Sequence, residues 1–120
     1  MYTTTGSSDL LKLVITGSTV NLDYYCSYFS SGTLSANAGN ASAAGTYFLI
    51  PGAASYPNGV QAISISNKNI SLAVTITVQY VDNALNTRQL LTISLAAQYT
   101  LTYTDEGAGF QVYNATGVRQ

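Results

Sequence analysis

Acid–base or nucleophilic chemistry needs groups that titrate or attack near neutral pH, and this chain of 120 residues holds few of them. It has no histidine, which removes the commonest general base, the usual activator of a nucleophile and the favoured zinc ligand. Cys26 is the single thiol. Without a histidine partner, and on the apolar side of an alternating stretch, it reads as a small core residue rather than a nucleophile. The acids are Asp9, Asp23, Asp82, Asp105 and Glu106. A glycosidase needs two carboxylates facing one another across a sugar, whereas the adjacent pair Asp105-Glu106 belongs to a turn, where neighbours point apart into water. Asp82, Asp105, Glu106 and the loop asparagines offer the oxygen ligands that calcium takes. No EF-hand spacing orders them, and solvated turn acids are the plainer reading. Gly107-Ala108-Gly109 lacks the strand-to-helix setting of a phosphate loop. The chain is therefore not expected to be an enzyme, and no catalytic, cofactor-binding or metal-ligating residue is assigned.

Binding chemistry is narrowed by charge. Lys12, Lys68, Arg88 and Arg119 are scattered and the formal net charge is −1, so the clustered cations that neutralise phosphates are missing and nucleic acid is not an expected partner. No apolar run approaches the roughly 18 residues that span a bilayer, and no membrane association is expected. The opening MYTTTGSSD lacks the basic region and apolar core of a secretory signal. With one cysteine there is no internal disulfide, and folding in a reducing cytoplasm is the expectation. Asn40-Ala41-Ser42, Asn69-Ile70-Ser71 and Asn114-Ala115-Thr116 match the N-glycosylation pattern, a match that arises readily by chance in a chain so rich in Asn, Ser and Thr. Among the ten tyrosines, Tyr24, Tyr25, Tyr28, Tyr47 and Tyr56 are candidates to stack on sugar rings, with packing at the rim of a core as the alternative.

Any such group would be positioned by strands. Charged residues make up 8% of the chain, about a third of the usual share, and a surface so poor in charge suits packing against neighbours more than life free in solution. Leu10–Thr16 reads as one strand. Val20–Phe29 is a second, with Val20, Leu22, Tyr24 and Cys26 on one face and Asn21, Asp23, Tyr25 and Ser27 on the other. Ser30–Gly45 has no periodicity and reads as a long surface loop. Thr46–Ile50 is a short strand, Val60–Asn67 another, and Ile70–Tyr80 the longest. Leu90–Gly117 reads as three further strands, the last two forming a hairpin around the turn Asp105–Gly109. No stretch shows a capped helical period. About eight short strands separated by Gly/Asn/Pro turns specify an all-β chain, an antiparallel β-sandwich of jelly-roll or immunoglobulin-like type. Residues 1–9 read as a flexible arm and 10–120 as one domain.

One segment has a recognisable layout. Leu95–Gly117, most of all QYTLTYTDEGAGFQVYNATG, resembles the C-terminal part of a family of small virion structural proteins from tailed bacteriophages and prophages. The Leu11-Lys12-Leu13-Val14 strand, the small-residue stretch before Tyr47, Ala62–Asn67 and Val74–Val78 agree in position. The resemblance implies a non-enzymatic β-sandwich, in first place a capsid decoration (cement) protein. Such a protein binds the shell of major capsid protein as an oligomer, by preference a trimer, on the virion exterior. Contacts through Met1–Ser8 and Ser30–Gly45 are the expectation. The alternative is a tail- or fibre-associated module that recognises the host surface or its glycans.

Overall fold

Alternation of apolar and polar residues builds a two-layered β-structure. The computed structural model describes residues 3–4, 10–30, 33–50, 58–81, 87–104 and 109–120. Its elements are β1 (Thr3–Thr4), β2 (Leu10–Thr16), β3 (Leu22–Ser30), β4 (Thr33–Ala41), β5 (Gly45–Ile50), β6 (Asn58–Asn67), β7 (Val74–Val81), β8 (Thr87–Leu95), β9 (Thr100–Thr104) and β10 (Gly109–Tyr113). One antiparallel sheet runs β10-β9-β6-β3-β4, with the two-residue β1 added beside β6, and the other runs β5-β2-β7-β8. The chain crosses between sheets at β2→β3, β4→β5, β5→β6, β6→β7 and β8→β9. Strands distant in sequence thereby become neighbours, and the two layers are tied together.

The inner faces form one apolar core. Leu11, Leu13 and Ile15 of β2, Leu49 of β5, Ile76 and Val78 of β7 and Leu95 of β8 meet Leu22, Cys26 and Tyr28 of β3, Ile63 and Ile65 of β6 and Leu101 and Tyr103 of β9. Removal of each large apolar side chain from water contributes roughly 1.5–3 kcal/mol, and the pleat forces the intervening residues outward. The expected β-sandwich is what forms, with Cys26 facing inward. Among the described residues no helix is present.

Two sequence expectations are corrected. Within Ser30–Gly45, residues Thr33–Ala41 are strand β4, paired with β3 in unbroken register from Leu22↔Ala41 to Ser30↔Thr33. Its residues have little strand preference, and the ladder offered by β3 imposes the conformation. The strand count rises accordingly. Ile70–Leu72 does not open β7, which begins at Val74. The Asn69 side-chain oxygen accepts hydrogen bonds from the Ser71 and Leu72 amides, holding the chain in an Asx turn that leaves Ile70 81% exposed. Of the three C-terminal strands, β8 lies beside β7, and the Ala96–Tyr99 turn carries the chain to the opposite layer, where β9 and β10 pair as the expected hairpin. Thr3–Thr4 pairs with Asn58–Gly59. The remainder of the expected N-terminal arm lies outside the described residues, as do the tip of the Asp105–Gly109 turn and the loop at Asp82–Asn86.

Candidate functional site

The register decides which polar residues share a face. On β3, Cys26 stands opposite Ile63 and is fully buried. Burial disfavours the thiolate and pushes its pKa up from 9.0 to about 12, so the group has neither access nor ionisation for nucleophilic work. Its titration is linked to folding. The unfolded thiol loses its proton above about pH 9 while the folded one holds it, so stability is intact below pH 9. It falls by about 1.4 kcal/mol per pH unit up to about pH 12. Iodoacetamide labelling at pH 8 is accordingly expected to follow global unfolding. Labelling of the folded chain at the rate of an unfolded control would contradict this burial.

Of the acids, Asp23 lies on the outer face of the five-stranded sheet. Asp9, Asp82, Asp105 and Glu106 lie outside the described residues, and with them the carboxylate and calcium readings. Among the described residues, no three His, Cys, Asp or Glu side chains cluster as metal ligands, and no helix is long and apolar enough to cross a membrane. The three glycosylation-like asparagines have structural partners. Asn40 Nδ2 donates to Asn21 Oδ1 and Asp23 Oδ1. Asn69 forms the Asx turn before β7. Asn114 Oδ1 accepts from the Thr116 and Val118 amides.

The candidate tyrosines separate by face. Tyr28 is buried. Tyr24 and Tyr47 meet across the sandwich with ring centroids 5.8 Å apart, and the Tyr47 hydroxyl donates to the Ala43 carbonyl at 2.8 Å, the rim packing foreseen as the alternative role. Tyr25 points outward and is 43% exposed. Tyr56 lies outside the described residues. Around Tyr25 the outer face forms rows set by the register. Tyr113, Thr100, Ser66, Asp23 and Asn40 make one row, and Gln111, Thr102, Ser64, Tyr25 and Ala38 the next. Ser66 Oγ and Thr100 Oγ1 lie 3.0 Å apart, and Tyr113 donates to Gln111 Oε1 at 2.8 Å. The face is polar and nearly free of charge.

The second feature is a slot that the sequence did not reveal. The sandwich is closed on its β4–β5 side, where Asn37 Nδ2 reaches from β4 to the Phe48 carbonyl at 2.8 Å and the Leu49 carbonyl at 3.4 Å. On the opposite side, the inward residues Leu91 and Ile93 of β8 and Phe110 and Val112 of β10 are only half-buried and line a cleft of about 620 Å³. The outer edge of β10 is capped by the C-terminal segment, through Gln120 N to Val112 O at 2.8 Å and the Tyr113↔Arg119 bridge. The outer edge of β8 has no paired strand among the described residues. Arg119 lies at the slot.

Compared with known proteins, the chain matches no family model, no curated protein and no solved structure.

Proposed function

We propose that this chain is a structural protein of a tailed-bacteriophage virion, in first place a decoration protein that binds the shell of major capsid protein and stabilises it. The observation that carries this reading is the open side of the sandwich. A half-exposed apolar slot beside a strand edge that has no partner among the described residues is a hazard in a free protein and an asset in one covered by a neighbour. The low charge of the chain supports packing in a large assembly, and the resemblance of Leu95–Gly117 supplies the phage context. In this reading the chain is made in the bacterial cytoplasm, associates with itself, by preference as a trimer, and seats on the capsid exterior by burying apolar surface and pairing strand edges.

Quantitative mass spectrometry of purified virions tests this. A copy number near that of the major capsid protein, or a simple fraction of it, is expected. Absence from virions overturns the proposal. Ser94→Lys, a charge on the exposed edge of β8, is expected to leave the fold intact and to lower capsid occupancy at least about tenfold, because edge lysines block strand addition. Unchanged occupancy would remove β8 from the interface.

A second reading is a tail- or fibre-associated module that recognises host-surface glycans, favoured by the exposed Tyr25 on its hydroxyl-rich face. A copy number of a few per cent of the major capsid protein selects it over decoration.

A further inference from the structure

We propose that the outer face of the five-stranded sheet carries a binding site for a neutral saccharide, centred on Tyr25. The inference rests on the second reading above and gives it a site and a ligand class. Sugars are held by two complementary devices: an aromatic ring against the C–H face of the pyranose, and polar groups that pair with its hydroxyls.

The register supplies both. The cross-strand neighbours of Tyr25 are Ala38 on β4 and Ser64 on β6. Both are small, so neither covers the ring, which among the described residues is the one aromatic in the centre of this face. One row away stand Asn40, Asp23 and Ser66; the Asp23 carboxylate and the Asn40 side-chain oxygen can accept from sugar hydroxyls, and the Ser66 hydroxyl can donate or accept. Asn40 Nδ2 donates to Asp23 Oδ1 at 2.7 Å, which fixes the orientation of the carboxylate. Between ring and polar row lies a depression of about 460 Å³, lined by Asp23, Tyr25, Ala38, Gly39, Ser64 and Ser66. That volume is in the range of small-molecule sites, roughly 300–1,000 Å³.

Charge selects the neutral class. Among the described residues, Asp23 and Lys68 are the charged groups beside the depression, with Oδ2 and Nζ 4.0 Å apart, and they offset one another. An anionic sugar would place its carboxylate against Asp23 with no unpaired cation to receive it. A neutral one has a ring to stack on and three polar side chains within one pleat.

The test is binding of the full chain to an array of neutral and sialylated oligosaccharides, followed by calorimetry on the sugars retained. Retention of neutral sugars is expected, with on the order of tenfold weaker binding in Tyr25→Ala and in Asp23→Ala. Tyr25→Phe is expected to keep the stacking and most of the affinity. Tyr25 is on the surface, so Tyr25→Ala is expected to melt with the wild type, and the comparison reads binding rather than folding. Neutral-sugar binding that survives Tyr25→Ala overturns this site while leaving the glycan reading standing. Preference for sialylated sugars overturns the assignment of ligand class. Retention of no sugar overturns both the site and the reading it rests on.

Discussion

Asn67→Ala is expected to destabilise the fold by about 3–4 kcal/mol, the largest effect of any polar substitution among the described residues. Asn67 closes β6 and is 2% exposed. Its amide nitrogen donates to the carbonyls of Leu72, Leu95 and Ala96 at 2.9, 3.0 and 3.2 Å, and its side-chain oxygen accepts from the Asn69 amide at 3.0 Å. Leu72 leads into β7, Leu95 ends β8 and Ala96 opens the turn to β9. One side chain of the five-stranded sheet therefore holds the ends of two strands of the other sheet. The Asn67 backbone amide adds a bond to the Tyr99 carbonyl at 2.9 Å. Truncation leaves the buried Leu95 carbonyl, the part-buried carbonyls of Leu72 and Ala96 and the Asn69 amide without this partner, at about 1–3 kcal/mol for each group that water cannot reach. Against a total stability of about 5–15 kcal/mol, the loss is expected to lower Tm by roughly 15 °C. Thermal denaturation followed by circular dichroism reads this directly. Asn67→Asp is a sharper probe, because it keeps the acceptor, loses the donors and sets a charge against three carbonyls. Burial raises the pKa of such a carboxyl. This variant is expected to lose more than Asn67→Ala at pH 7 and to recover part of the loss as pH falls and the acid becomes a donor. A Tm within 3 °C of wild type for Asn67→Ala would show that the tie between the sheets is not made by this side chain.

That tie marks the boundary of what periodicity could reveal. Leu10–Thr16 was legible to the residue, because alternating side chains over a full strand leave one register that buries Leu11, Leu13 and Ile15. The inward placement of Cys26 followed from the same rule. Strand β4 was not legible, because Ala, Ser, Asn and Gly give no alternation to read. Its conformation is set by the partner ladder and by Asn37 reaching the β5 carbonyls, both contacts between residues far apart in the chain. The start of β7 was misread for the opposite reason. Ile70 and Leu72 continue an apolar pattern that the side chains of Asn67 and Asn69 interrupt by capturing the backbone. The site residues follow suit. Tyr24 and Tyr25 are adjacent, and alternation alone assigns them to opposite faces. Which of them is open to a ligand depended on the small size of Ala38 and Ser64, neighbours that register alone provides. The slot between β8 and β10 depends on how far one sheet overlaps the other, a quantity carried by no local signal.

Gly39 provides a case where the sign of a substitution is expected to reverse with its neighbour. Gly39 stands opposite Tyr24 in the β3–β4 ladder, and the tyrosine ring lies flat across it. A Cβ at position 39 would fall 2.5 Å from the Tyr24 hydroxyl oxygen and 2.7 Å from its Cζ, closer than such atoms approach. Its φ lies outside the left-handed region, so backbone strain is not the obstacle. The obstacle is the ring, which must swing away and give up its packing against Tyr47. Overpacking of this kind costs about 1–3 kcal/mol, and the lost aromatic pair adds about 0.5–1.5 kcal/mol. Gly39→Ala alone is thus expected to destabilise by about 2 kcal/mol. In a Tyr24→Ala background the space above position 39 is empty. The same substitution then acts mainly by restricting the unfolded chain, and is expected to stabilise by about 0.4–1 kcal/mol. Chemical denaturation of the four proteins closes the cycle, with a coupling energy near 2–3 kcal/mol as the expected result. Equal effects of Gly39→Ala in both backgrounds would mean that the glycine is not there for the ring. With the predicted sign reversal, Gly39 is the residue that lets Tyr24 lie across β4 and reach Tyr47. The closure of that side of the sandwich, in contrast to the open β8–β10 side, then traces to a glycine and an asparagine in a stretch without any hydrophobic pattern.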